Sequence, residues 1–274
     1  LHRARRAHRQ HLAFGEHDPE FAEWIDDREK RDSLVDELPV ATVLIYRYWQ
    51  DRRKGGDARS GGKRPTVPDA ARNQGERVVS EKVADGVWFI AGGSHNSVAI
   101  EMADHLILVE TPLGDARTQA VIDHVKGLVP AKPIRYAVNS HQHFDHSGGV
   151  RAAVAEGATI VTQAANVPYF ERVLAQPNAV RPDRLAQAAK TARLQGVADK
   201  AVMSDATRSV ELHRIAGSIH TDSFLMVYLP KEKLLIEADA YTPLPPNTPP
   251  PATPNPNNVN LIDNIERLKL AVER

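Results

Sequence analysis

Residues 139–149 read Asn-Ser-His-Gln-His-Phe-Asp-His-Ser-Gly-Gly, placing three histidines and one aspartate within the six residues from His141 to His146. The run Ile-Arg-Tyr-Ala-Val at 134–138 leads directly into it and reads as a buried strand. A turn at the end of a strand can aim several such side chains at one point. Imidazole and carboxylate together suit zinc, iron or manganese. Alternating His141 and His143 can share one ion, while Asp145 and His146 face a second. A solvated turn seldom gathers this much histidine right after a buried strand, so metal binding is the expectation here.

The composition narrows the rest. The 274 residues contain no Cys, which removes thiolate metal sites, disulfide frameworks and cysteine nucleophiles. Lys+Arg and Asp+Glu number 35 each, so net charge gives no argument for nucleic-acid or anionic-membrane binding. No stretch approaches the roughly 18 apolar residues of a membrane span. Arg47, Arg52, Arg53, Lys54, Arg59, Lys63 and Arg64 form a basic cluster. The first 80 residues nonetheless carry 16 basic and 14 acidic side chains and show no extended stacking platform of interleaved aromatics, so a solvated linker is expected and nucleic-acid binding is not. The oligomeric state and compartment, cytoplasmic or periplasmic, are not legible. The chain starts at Leu1 without Met and its last residues read as helix, so a fragment of a longer protein is expected.

Two regions differ in texture. Residues 1–77 form an N-terminal extension or linker. In it, Asp18-Pro19 starts a charged helix to about residue 37, 43–46 suggests a strand, and 51–64 is basic and glycine-rich. Residues 78–274 form the second region. Apolar runs predict strands at 87–91, 97–102, 105–110, 134–139, 158–162, 209–215, 224–229 and 233–237. Helices are predicted at 115–128, just past Asp145, and over 164–192 with breaks at Pro177 and Pro182. An amphipathic helix carrying Leu261, Ile262, Ile265, Leu268, Leu270 and Val272 is predicted to close the chain. Eight prolines fall within 241–256 and exclude helix or central strand there; a stiff loop over the cleft is expected. Strands first, then alternating helices and strands, indicate layered α/β with helices covering the sheets.

His141-x-His143-x-Asp145-His146 resembles the signature of the metallo-β-lactamase superfamily. Gly86-Val87-Trp88-Phe89-Ile90 followed by Asn96, Ile219-His220-Thr221-Asp222-Ser223, and Lys233 to Asp239 resemble three further family segments in the family order, over roughly 80–274. The resemblance implies a four-layer αββα sandwich with metals at one edge, between the sheets. It implies that His141, His143 and His220 hold the first metal, that Asp145 and His146 hold the second, and that Asp239 bridges both. Zinc, two ions per complete chain, is the implied cofactor, with iron or manganese as alternatives. The implied reaction is hydrolysis of an ester, lactone, thioester, amide or phosphoester in a small molecule. Asp145 would orient the hydroxide and pass its proton to the leaving group. Members with an Asp at the place of Asp239 include glyoxalase II-like and lactonase-like enzymes. A β-lactamase and a mononuclear-iron persulfide dioxygenase-like oxidoreductase are the alternatives on the same fold.

Two departures stand out. Glu110 occupies the place of a family Asp that supports the metals from behind, which implies an altered outer layer. The family has one more metal-binding His late in the chain, and no His follows His220 here. The second site is therefore expected to be incomplete. His95, in Gly92-Gly93-Ser94-His95-Asn96, and Tyr241 are candidate substrate-pocket residues.

Overall fold

The computed structural model describes residues 77–179, 182–188, 190–241, 249, 251 and 253–273. The readings made for residues 1–76, and for the proline-rich loop at 242–248, 250 and 252, lie outside them. Among the described residues no helix is long and apolar enough to cross a membrane.

Seven strands form the first sheet in the order β1 to β7: Val79–Ala84, Val87–Ala91, Ser97–Glu101, Leu106–Val109, Ile134–Val138, Thr159–Gln163 and Arg193–Val197. The first four run antiparallel through short turns, and β4 to β7 run parallel. Parallel neighbours need crossovers long enough to return the chain, and here they are helical. These are α1 (Asp115–Leu128), the pair α2 (Phe144–Ser147) and α3 (Val150–Glu156), and then α4 (Val167–Leu174) with α5 (Arg184–Ala188). The second sheet is antiparallel, with β8 (Lys200–Ser204), β9 (Ser209–Arg214), β10 (Leu225–Leu229) and β11 (Leu234–Ile236) side by side. Helix α6 spans Pro256–Arg267.

Burial explains why β4, Leu-Ile-Leu-Val, is apolar at every position: all four residues are buried. Its Leu106 and Leu108 pack with Val121, Ile122 and Val125 of α1, while Ile107 and Val109 pack with Leu212, Leu225 and Val227 of the second sheet. On the far side of that sheet, Phe224 and Met226 meet Leu261 and Ile265 of α6. The layers therefore run helix, sheet, sheet, helix, matching the expected sandwich.

Some boundaries differ from the sequence reading. Strands β1, β7 and β8 were not predicted; β1 and β7 are the outer strands of the first sheet and β8 is an edge of the second, and all three have mostly exposed or half-buried residues. The last helix begins earlier than expected, with Asn255 Oδ1 accepting from Asn257 N–H at 2.9 Å and Pro256 in the first turn. A proline there forfeits no helical hydrogen bond, so proline richness did not exclude a helix start. The same helix ends at Arg267 instead of running on. Lys269 adopts a left-handed backbone, φ 55°, and turns Leu270 back onto the α6 core. Glu273 N–H then donates to Lys233 O at 2.9 Å. The helical spacing of Leu270 is thus satisfied by a turn.

Leu212 is fully buried between the sheets. Leu212→Ala is expected to destabilise the fold by about 2–5 kcal/mol. A fall in the urea midpoint at unchanged slope is the measurement that checks it.

Candidate metal centre

Four loops meet at the end of the two sheets. His141, His143, Asp145 and His146 follow β5; His220 lies between β9 and β10; Asp239 follows β11; His95 lies between β2 and β3. Hydrogen bonds hold the first loop in shape. Asn139 is fully buried, its Nδ2–H donates to His146 O at 2.8 Å, and its Oδ1 accepts from the Thr111 hydroxyl at 3.1 Å. The Ser147 hydroxyl is 3.0 Å from both Gln142 O and His143 O. Gly148 and Gly149 supply close approach. A Cβ on Gly148 would lie 2.3 Å from Leu113 O, and one on Gly149 would lie 2.0 Å from Thr118 Oγ1. Ser140 O accepts from Leu225 N–H at 2.9 Å, tying the loop to the second sheet.

His141 Nε2 lies 3.0 Å from His143 Nδ1 and 3.1 Å from His220 Nε2. Asp239 Oδ2 is 3.2 Å from His220 Nε2 and 3.8 Å from His141 Nε2. All four residues offer ligand atoms within 4.8 Å of one another. A tetrahedral ion with bonds of about 2.0–2.1 Å to nitrogen would space its ligand atoms by about 3.3 Å, so this set fits such an ion. A second group, His95, Asp145 and His146, meets the same 4.8 Å condition. Between the groups, His146 Nε2 is 3.1 Å from Asp239 Oδ2, yet it is buried without an aligned hydrogen-bond partner. Atoms aimed at a shared point behave in this way.

Supporting groups set which nitrogen each ring presents. Glu110 Oε2 accepts from His146 Nδ1–H at 2.7 Å, while Glu110 Oε1 accepts from Ser140 N–H at 2.7 Å. The Glu110 carboxylate therefore sits directly behind His146, reaching it with backbone in the left-handed region, φ 67°. Ser140 Oγ lies 2.9 Å from His141 Nδ1, leaving Nε2 to face the centre. Asp239 is also left-handed, φ 64°, at a turn organised by Glu237, whose Oε2 accepts from Ala240 N–H at 2.9 Å and Tyr241 N–H at 3.0 Å. Left-handed backbone at a non-glycine residue is uncommon, and its recurrence at both carboxylates marks a turn fixed by its surroundings. The sequence reading had not singled out Glu237; its one signal was a charged residue at the end of an apolar strand.

The electrostatics favour ligation. Burial, followed by the neighbouring His146, His143 and His220, holds His141 down at about 3, so its lone pair is free at neutral pH. Burial also lowers His220. For His146 burial opposes charge, but Asp239 and Glu110 outweigh it and push the ring up to about 10. The His146 ring in turn holds the Asp239 carboxyl down at about 2. Negative surroundings that favour a proton on His146 also favour a metal cation, which must displace that proton to bind.

A cleft of about 500 Å³ opens from the centre. His95, His146, Asp239 and Tyr241 line its polar end, and Val83, Phe89, Val98, Leu234 and Ile236 line its apolar walls. Both predicted pocket residues thus border the cleft, and His95 also stands within the second ligand group.

Residues 90–268 match the family model of the metallo-beta-lactamase superfamily. A metallo-beta-lactamase from Pontibacter korlensis is 16% identical with a TM-score of 0.54, over 71% of this chain and 88% of its own. The DIM-1 metallo-beta-lactamase is 15% identical with a TM-score of 0.53, over 71% and 86%. Both are likenesses of fold. No curated protein matches the chain.

Glu110→Gln leaves one acceptor where two donors now arrive, so Ser140 N–H or His146 Nδ1–H must face an amide NH2. If the centre holds a divalent metal ion, affinity for it is expected to fall about 10–100-fold with the fold intact. Competition against a chromophoric chelator, with circular dichroism beside it, measures this. Unchanged affinity would reduce Glu110 to a packing role.

Proposed function

The chain belongs to the metallo-beta-lactamase superfamily, and we propose that it is a metal-dependent hydrolase of a small molecule, with zinc as its metal and an ester, lactone, thioester or amide as its scissile bond. The observation that carries this reading is the convergence of His141, His143, His220 and Asp239 from three separate segments onto one point. In this reading those four residues hold the first ion, Asp145 and His146 serve a second, and Asp239 stands between them. When bound, the ions supply Lewis acidity and a hydroxide near neutral pH.

The chain's own residues provide the remaining chemistry. Asp145 lies at the mouth of the centre, with its side chain about one-third exposed, where it can orient the attacking water and pass a proton to the leaving group. Glu110 and Ser140 keep the rings of His146 and His141 turned so that Nε2 of each faces the reacting atoms. The apolar walls from Phe89 to Ile236 suit a substrate that carries an apolar group beside the polar bond to be cleaved. Tyr241, half exposed at the rim, is placed to touch that substrate.

Metal content of protein purified without added metal, followed by a panel of p-nitrophenyl esters, a γ-lactone, a thioester and a penicillin, tests the proposal. Zinc with chelator-sensitive hydrolysis is expected. One iron per chain with no hydrolysis would sink it in favour of oxidative chemistry. His141→Ala is expected to lower hydrolysis by more than the roughly 10–100-fold that losing a supporting residue costs. Because the ligands join both sheets, removing the metal with a chelator is also expected to lower the melting temperature; an unchanged melt would mean that no ion bridges them.

A further inference from the structure

His95 is not accounted for by a substrate-contacting role alone. Its Nε2 lies 3.2 Å from Asp145 Oδ2, and its ring meets that of His146 edge-on, with centroids 4.9 Å apart and planes at 84°. Ser94 Oγ lies 2.9 Å from Nδ1, so the other nitrogen is the one turned to Asp145. An ion pair would explain His95 and Asp145 by themselves. It would not explain His146, which offers a ligand atom within 4.8 Å of both while its Nδ1 is taken by Glu110 and its Nε2 lies 3.1 Å from Asp239 Oδ2. Three donor atoms from two loops, all within 4.8 Å, make a set of two imidazoles and one carboxylate. The His95 and Asp145 side chains are 25% and 35% exposed, so an ion can enter from the cleft that His95 and His146 line.

We infer that His95 is a metal ligand, holding a second divalent transition-metal ion together with Asp145 and His146. The inference rests on the proposed hydrolase reading and specifies one of its sites. It gives the second ion a histidine from the loop between β2 and β3. A His2-carboxylate set is suited to zinc or ferrous iron and leaves positions open for water or substrate.

The test is metal binding itself. Metal-free protein is titrated with zinc against a chromophoric chelator, and separately with cobalt(II), reading the visible absorption. Two ions per chain in two resolved steps are expected. His95→Ala should leave the first step in place and weaken the second by at least about tenfold, with loss of the second cobalt absorbance change. His95→Gln should behave likewise, and covers the case in which the alanine variant melts early. His124→Ala removes a histidine on α1 that contacts Ser80, and both steps should survive. Two unaltered steps in the His95 variants would overturn the ligand role while leaving the hydrolase reading standing. A single step in the unaltered protein would also overturn it. No bound ion at all would overturn both.

Discussion

Three imidazole nitrogens and a carboxylate oxygen directed at one another are unfavourable company, because their lone pairs repel unless a proton or a cation lies between them. His141 Nε2 nonetheless stands 3.0 and 3.1 Å from the nitrogens of His143 and His220. Such an arrangement persists only if the surrounding structure fixes it, and the buried hydrogen bonds of Asn139, Ser140 and Glu110 do so. Each satisfies polar groups that would otherwise be stranded out of water, so loosening the centre would leave those groups unpaired. Gly148 and Gly149 add a steric lock, since neither has room for a methyl group against Leu113 O and Thr118.

The position of the centre follows from the layering. Parallel strands β4 and β5 both end at this edge of the first sheet, so Glu110 and the 139–149 loop emerge side by side. The second sheet reaches the same edge through β10 and β11 and contributes His220 and Asp239. The apolar core between the sheets thus continues outward as the cleft walls, and the candidate metal centre marks where that core gives way to polar groups.

Much of this was legible in the sequence because strong signals coincide there. A buried run such as Leu-Ile-Leu-Val has few alternatives to a central strand, and His-Gln-His-Phe-Asp-His has few alternatives to metal binding. Weakly patterned elements were not legible. Strands β7, Arg-Leu-Gln-Gly-Val, and β8, Lys-Ala-Val-Met-Ser, are held by backbone pairing with β6 and β9, and exposure relaxes their alternation. The end of α6 was misplaced because periodicity registers which side chains reach the core, not whether helix or turn takes them there. Glu237 went unnoticed because its partners are backbone amides, which leave no trace in residue type. For His95 the sequence indicates only nearness to the cleft; its separation from Asp145 by a long stretch of chain hid their 3.2 Å contact.

Drawing the proposed first ligand set from both sheets also implies an order of events during synthesis. His141 and His143 leave the ribosome with the first sheet still lacking β6 and β7, and His220 and Asp239 follow only after those strands. Until Asp239 has emerged, a nascent chain lacks the carboxylate that would complete the set with His141, His143 and His220. On the proposed reading, the complete set exists only once the second sheet has formed. On that reading a chain stalled between β5 and β11 would carry His141 and His143 without Asp239, and would hold an ion more loosely than the finished protein.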